Sequence, residues 1–267
     1  MVPTPSPAIR VFPDANACAA AAAETFLALS LEAAENHKTF RVALSGGSTP
    51  KRLYAILAEA PFRDKVPWSK IHFFFSDERH VGPDHADSNF GTARDGLFEK
   101  VAVPGANIHR VFAERADAGE VAAVYQNTIA ASFGGHAEMP AFDLIFLGMG
   151  PDGHTASLFP GTPALGETHR WVIENPVEKL KTDRITFTYP LINQAARVLL
   201  LVTGDDKAER IGEIFNPAPN KAIPTYPVQG VQPVKGLLEW YLDEAAAKHL
   251  KREPAPAAAP IVAAAAA

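Results

Sequence analysis

The feature that most constrains the fold is an alternation of short apolar, β-rich runs with stretches of helical spacing. The runs fall at residues 9–12, 40–44, 71–75, 142–147, 171–173, 185–188 and 198–203, and the helical patterns at about 15–36, 50–60, 89–101, 118–133, 206–215 and 234–249. Parallel strands need crossover connections, and helices between strands supply them. Ile71-His72-Phe73-Phe74-Phe75 and Leu199-Leu200-Leu201-Val202 lack the apolar–polar alternation of a half-buried strand, so they suit strands covered on both faces. The expected class is α/β, with a single open, mostly parallel twisted sheet flanked by helices in the Rossmann-like manner. Residues 1–250 show no linker and read as one domain; residues 251–267, rich in Ala and Pro, read as a disordered tail.

Composition narrows the function. With Lys+Arg 25 against Asp+Glu 30, the net charge of −5 disfavours sequence-independent nucleic-acid binding. The apolar stretch at residues 15–34 is interrupted by Glu24 and Glu32, so it reads as an amphipathic helix rather than a membrane span. No basic, apolar leader opens the chain. Cys18 is the only cysteine, which leaves no intramolecular disulfide and no multi-cysteine zinc site. A cytoplasmic protein without membrane or nucleic-acid partners is expected.

In an open parallel sheet, ligands bind beyond the carboxyl ends of the strands, so the loops that follow strands matter most. Ser45-Gly46-Gly47-Ser48-Thr49-Pro50 lies between a strand and a helix. Its glycines expose backbone N–H groups, its hydroxyls add donors and the helix N-terminus favours an anion. The Walker spacing is absent. A hydroxyl N-cap at Ser48-Thr49, with Pro50 in the first turn, is the expected helix start. Ser76-Asp77-Glu78-Arg79-His80 follows the next strand; its carboxylates and guanidinium suit a polyol or an anion, the alternative being a solvated charge cluster.

The third loop is Gly148-Met149-Gly150-Pro151-Asp152-Gly153-His154-Thr155-Ala156-Ser157, expected to lead into a short helical stretch. Gly148, Gly150 and Gly153 match the dinucleotide spacing, with Glu174 further on. Asp152, however, would set a carboxylate where a pyrophosphate belongs, and Pro151 lacks an N–H to bind it. Asp152 and His154 read better as groups of one cleft, the imidazole serving as a base near neutral pH. Lys207, after Gly204-Asp205-Asp206, sits in a first helical turn against the macrodipole, which suits a ligand-binding cation or a surface lysine.

Together, the sequences from Ala43 to Pro50, Ser76 to Arg79 and Gly148 to Pro160 resemble the 6-phosphogluconolactonase family, in order and over nearly the whole region from Phe12 to Trp240. Glucosamine-6-phosphate deaminases of the same superfamily share the first loop and a D-G-H loop, but theirs resembles D-G-H-I-A-F-N-E. Here Thr155-Ala156-Ser157-Leu158-Phe159-Pro160 follows the histidine and carries no acid. The resemblance implies hydrolysis of 6-phospho-D-glucono-1,5-lactone to 6-phospho-D-gluconate, the second step of the oxidative pentose phosphate route. Glucose-6-phosphate dehydrogenase would be the functional neighbour, and neither cofactor nor metal is implied. It also implies His154 as general base, Asp152 as its orienter or a contact to sugar hydroxyls, and Gly46, Gly47, Ser48, Thr49, Asp77, Arg79 and Lys207 as substrate- and phosphate-binding residues. The competing readings are the deaminase, a nicotinamide oxidoreductase and a non-catalytic sugar-phosphate sensor.

Overall fold

The computed structural model describes residues 7–135, 138–216 and 226–251; the expected tail, from residue 252 onward, lies outside them. In chain order the elements are β1 (Ala8–Phe12), α1 (Ala15–Glu35), β2 (Phe40–Leu44), α2 (Ser48–Leu57), α3 (Phe62–Lys65), β3 (Ile71–Phe75), β4 (Asp77–Arg79) and α4 (Asn89–Ala93). They continue as α5 (Ala118–Ser132), β5 (Leu144–Leu147), β6 (Val172–Val177), β7 (Thr182–Phe187), α6 (Tyr189–Ile192), β8 (Arg197–Val202), α7 (Ala208–Phe215), β9 (Leu237–Asp243) and α8 (Glu244–Ala247). Six strands form a parallel sheet in the order β1-β9-β8-β5-β2-β3, the α/β class expected. From β2 the chain continues outward to β3, and from β5 it later reaches β8 on the opposite side. The gap between the ends of β2 and β5 is therefore the topological switch point, where ligands of open α/β sheets bind.

Helix α1 starts where Asp14 caps it, accepting from the backbone N–H groups of Asn16 and Ala17 at 2.8 Å each. Its small buried face, Cys18, Ala19, Ala21, Ala22 and Ala23 with Phe26, lies against α2 and β9. The helix is long and apolar enough to cross a bilayer by length and composition, yet Cys18, Ala22 and Phe26 are wholly buried in the protein. Burial pushes the Cys18 thiol up to about 12, which makes it a poor nucleophile. The central strands are buried as their unalternating sequences require: Phe73, Phe74 and Phe75 are all at 0% exposure.

Three segments differ from the sequence expectation. The pattern at 234–249, expected as one helix, instead holds strand β9 followed by the single turn α8. Leu237, Leu238, Trp240, Tyr241 and Leu242 satisfy a helical stripe and a buried strand alike, and pairing with both β1 and β8 decides for the strand. The 171–173 and 185–188 runs do not enter the large sheet. They lie in β6 and β7, which form a separate antiparallel sheet in the order β4-β7-β6. The Asp77–Arg79 segment, expected as a loop, is the edge strand β4 of that sheet.

Ser76 is the junction between the two sheets. Its N–H donates to Leu44 O on the large sheet, and its carbonyl accepts from Phe187 N on the small one, both at 2.8 Å. Its hydroxyl meets Ser45 Oγ at 2.7 Å, and Ser45 in turn donates to Phe146 O at 2.7 Å. Buried hydroxyls with defined partners thus tie together the ends of β2, β3 and β5.

Candidate active site

A cavity of about 230 Å³ opens at the switch point. Of the residues expected at a site, Gly46, Gly47, Ser48, Thr49, Asp77, Arg79, His154 and Lys207 line it; Asp152 does not, and stands behind His154. The first wall is the turn into α2. The expected hydroxyl cap is not formed, because the helix begins at Ser48 with Gly47 as N-cap and no side-chain capping bond. Gly47 has φ 109°, a conformation glycine adopts without a Cβ penalty. Thr49 Oγ1 pairs instead with Thr203 Oγ1 at 2.8 Å, while Ser48 is exposed to the opening. The N-terminus of α2 therefore keeps its backbone donors for a ligand.

The second wall is β4. Alternation along a strand puts Asp77 and Arg79 on one face and Glu78 on the other. Asp77, 7% exposed, accepts from Ser157 Oγ at 2.7 Å and from Asn89 Nδ2 at 3.3 Å. Glu78, 1% exposed, accepts from the backbone N–H groups of Arg79, Asn89 and Phe90 at 2.8 Å each, so it holds the start of α4. Burial raises its carboxyl above the ordinary range, and those N–H groups offset that only in part. Arg79 Nη1 donates to Asp87 O at 2.5 Å. Directly across the ladder from Arg79 stands Arg184 of β7, which sequence reasoning missed. Burial, and then the facing Arg79, lower its pKa. Two guanidiniums paired across a ladder repel one another, and here Asp77, Asp87 and Glu78 offset that repulsion in part.

The third wall carries the histidine. His154 Nδ1–H donates to Asp152 Oδ1 at 2.5 Å, which leaves Nε2 as the acceptor. The imidazole lies over the Gly150 backbone: a Cβ there would stand 2.1 Å from His154 Cε1. Its other neighbour is Phe159, stacked at 4.2 Å between centroids. Asp152 Oδ2 accepts from Lys179 Nζ, a second residue sequence reasoning missed, brought in by the β6–β7 hairpin. Burial would raise the Asp152 carboxyl, but Lys179 and His154 outweigh it and hold it at about 2. Ala156 takes a left-handed φ of 46°, strain of the kind that gathers at functional sites.

No helix opens at this loop. Thr155 and Leu158 form an isolated bridge, and the next helical turn is Pro163–Gly166. Glu174 pairs with Arg170 at 3.3 Å and does not line the cavity. The dinucleotide spacing therefore lacks the helix N-terminus that would seat a pyrophosphate. Lys207 is the N-cap of α7, 17% exposed in its side chain, and its Nζ contacts Asp206 while lining the cavity. Asn89, also unforeseen, completes the floor.

Comparison with known proteins adds to this geometry. A family model described as glucosamine-6-phosphate isomerases/6-phosphogluconolactonase matches residues 13–240. A 6-phosphogluconolactonase of Synechocystis sp. is 47% identical over 213 residues, covering 79% of this chain and 84% of that protein. One from Nostoc sp. is 40% identical over 243 residues, covering 91% and 98%. Among solved structures, 6-phosphogluconolactonase from Trypanosoma cruzi superposes with a TM-score of 0.81 at 31% identity, covering 92% of this chain and 98% of that one. A monomeric glucosamine-6-phosphate deaminase shares the fold at 18% identity with a TM-score of 0.72.

Proposed function

The chain belongs to the glucosamine-6-phosphate isomerase/6-phosphogluconolactonase family, and from that premise we propose that it hydrolyses 6-phospho-D-glucono-1,5-lactone with His154 as general base. The observation that carries the mechanism is the Asp152–His154 pair, with the imidazole facing a cavity that ends at the N-terminus of α2. Asp152 fixes the tautomer with the proton on Nδ1, so Nε2 takes a proton from the water that attacks C1. The tetrahedral oxyanion collapses by expelling the ring oxygen, and the proton on Nε2 passes to that oxygen to give 6-phospho-D-gluconate. The ester is activated enough that no covalent nucleophile is needed, and the lone cysteine is buried far from use.

Recognition of the phosphate falls to the donors of Gly46, Gly47, Ser48 and Thr49 together with the charge of Arg79 and Lys207. Arg184 adds a second guanidinium beside Arg79. Asp77 meets sugar hydroxyls where its Ser157 and Asn89 contacts leave lone pairs free. The deaminase reading is disfavoured at one position: where the deaminase loop has its glutamate, five residues past the histidine, Phe159 stacks on the imidazole. The reaction is the second step of the oxidative pentose phosphate route, fed by glucose-6-phosphate dehydrogenase. We place it in the cytoplasm, on one domain spanning residues 1–250.

The test is lactone hydrolysis with substrate generated in place, compared with unphosphorylated gluconolactone. Because the lactone also opens spontaneously, His154→Ala is the matched control. Rapid, phosphate-dependent hydrolysis that falls about 10²–10⁴-fold in kcat in the variant is expected. Near-normal turnover without the imidazole would remove His154 from the mechanism.

A further inference from the structure

The cavity is rich in donors, and the acceptors facing it include His154 Nε2 and Asp77. The Gly46–Thr49 turn, Arg79 and Lys207 all present N–H or O–H groups to it. A sugar phosphate takes such donors at its phosphate, but its ring hydroxyls are donors themselves and need acceptors when buried. Asp77 already has one donor on each oxygen, Ser157 on Oδ2 and Asn89 on Oδ1, so it has fewer lone pairs left for a ligand.

Asn89 is different. It is 2% exposed, and it lines the cavity. Its amide orientation is set by chemistry, because Nδ2 faces two acceptors, Asp77 O at 2.9 Å and Asp77 Oδ1 at 3.3 Å. The carbonyl Oδ1 therefore lies on the other side, over Gly46, where a Cβ would stand 1.8 Å from it. Among the described residues no donor meets that oxygen. Gly46 has no left-handed φ, so the position needs glycine for space, and the Asn89 amide is what fills the space. The backbone of Asn89 is pinned by Glu78 Oε1 at 2.8 Å, which leaves the side chain little freedom to seek another partner.

We propose that Asn89 Oδ1 is the acceptor that recognises a ring hydroxyl of the substrate, which makes Asn89 a specificity-determining residue. The proposal rests on the sugar-phosphate reading of the site. A neutral acceptor suits this place: a carboxylate there would face Asp77 and oppose an incoming phosphate. A buried acceptor left empty by a substrate lacking the hydroxyl penalises that substrate, which is how polar pockets reject deoxy analogues.

The experiment is a cycle of protein and substrate changes. Wild-type protein and Asn89→Ala are compared in kcat/KM on 6-phosphogluconolactone and on its 2-deoxy, 3-deoxy and 4-deoxy forms. The variant should lose roughly 10-fold or more on the parent lactone. One deoxy lactone should lose a similar factor with wild-type protein, and on that lactone the substitution should cost nothing further. An equal loss on all four substrates would mark Asn89 as structural and overturn the proposal, as would full activity of the variant on the parent. If melting shows Asn89→Ala to be unfolded, Asn89→Ser, which keeps a small polar side chain but not the amide carbonyl, is run through the same four substrates with the same two readings. Calorimetric binding of 6-phosphogluconate and its deoxy forms reads the pairing without turnover. An inert wild-type protein would thus overturn the hydrolase reading while Asn89 is still judged on binding.

Discussion

Replacing Asp152 by asparagine changes one atom and should disable the base. The carboxylate serves two donors, with Oδ1 on His154 Nδ1–H and Oδ2 on Lys179 Nζ. An amide has a single acceptor. If its oxygen faces the imidazole, its NH2 meets the Lys179 ammonium, donor against donor. If its oxygen faces Lys179, its NH2 faces Nδ1 and forces the proton onto Nε2, the nitrogen that must accept. Bringing the carboxyl from 3.8 to about 2 corresponds to about 2 kcal/mol of preference for the charged form, nearer 1 once partial exposure is discounted. Because the folded pKa is depressed, that stabilisation is complete above about pH 4 and fades as pH falls toward 2. The loss of rate at pH 7 is therefore a tautomer effect, about 10²–10⁴-fold in kcat with KM little changed. Initial rates from pH 6 to 8, with spontaneous hydrolysis subtracted, would measure it. A kcat within about threefold of wild type would refute the assignment of Asp152 as the residue that orients the base.

Gly150→Ala places a methyl 2.1 Å from His154 Cε1, so the ring must leave Asp152; kcat should fall roughly 10²-fold while Tm holds, as read by lactonase assay and calorimetry. Arg184→Gln removes the guanidinium facing Arg79 and should raise KM for the phosphorylated lactone while leaving kcat and the unphosphorylated substrate nearly unaffected. His109, stacked on Phe74 at 4.4 Å, is lowered to about 4 by burial and then by His72 and Arg41. It stays neutral in the folded protein at pH values where the unfolded chain is already protonated. That shift corresponds to about 3 kcal/mol, nearer 2 once partial exposure is discounted, and this stability, present above pH 6.5, is lost as pH falls toward 4. His109→Phe should flatten the fall in urea midpoint between pH 7 and 5, and an unchanged slope would assign that fall to other groups.

What was legible in the sequence was local. The end of a buried strand, a pair of glycines and a helix start are all written within ten residues, so the turn from Ser45 to Pro50 could be read as an anion seat without the rest of the chain. The β9 segment is ambiguous for the same reason. Nothing between Leu237 and Leu242 distinguishes a helical stripe from a strand, and the deciding partners, β1 and β8, are remote in sequence or separated by a loop. The sequence of β4 points to a loop because three charged residues in a row have low strand propensity; pairing with β7 overrides that preference.

The same division explains which site residues stayed hidden. His154 and Asp152 are two apart, so their pairing follows from the loop itself. Lys179 lies 27 residues from Asp152 and reaches it only because the β6–β7 hairpin folds back. Arg184 meets Arg79 only through the antiparallel register of a sheet whose existence the sequence did not reveal. The charge balance is explained at this point as well. A chain of net charge −5 can still present cations to an anionic ligand, because Arg79 and Lys207 line the cavity while Arg184 stands across the ladder from Arg79 and Lys179 holds Asp152. Two of those cations already have carboxylate partners, Asp152 and Asp206, while Arg79, which lines the cavity, has only the Asp87 carbonyl on its Nη1. In the proposed reading a doubly charged phosphate would relieve repulsion at Arg79, and the register of the small antiparallel sheet is what sets Arg184 opposite it.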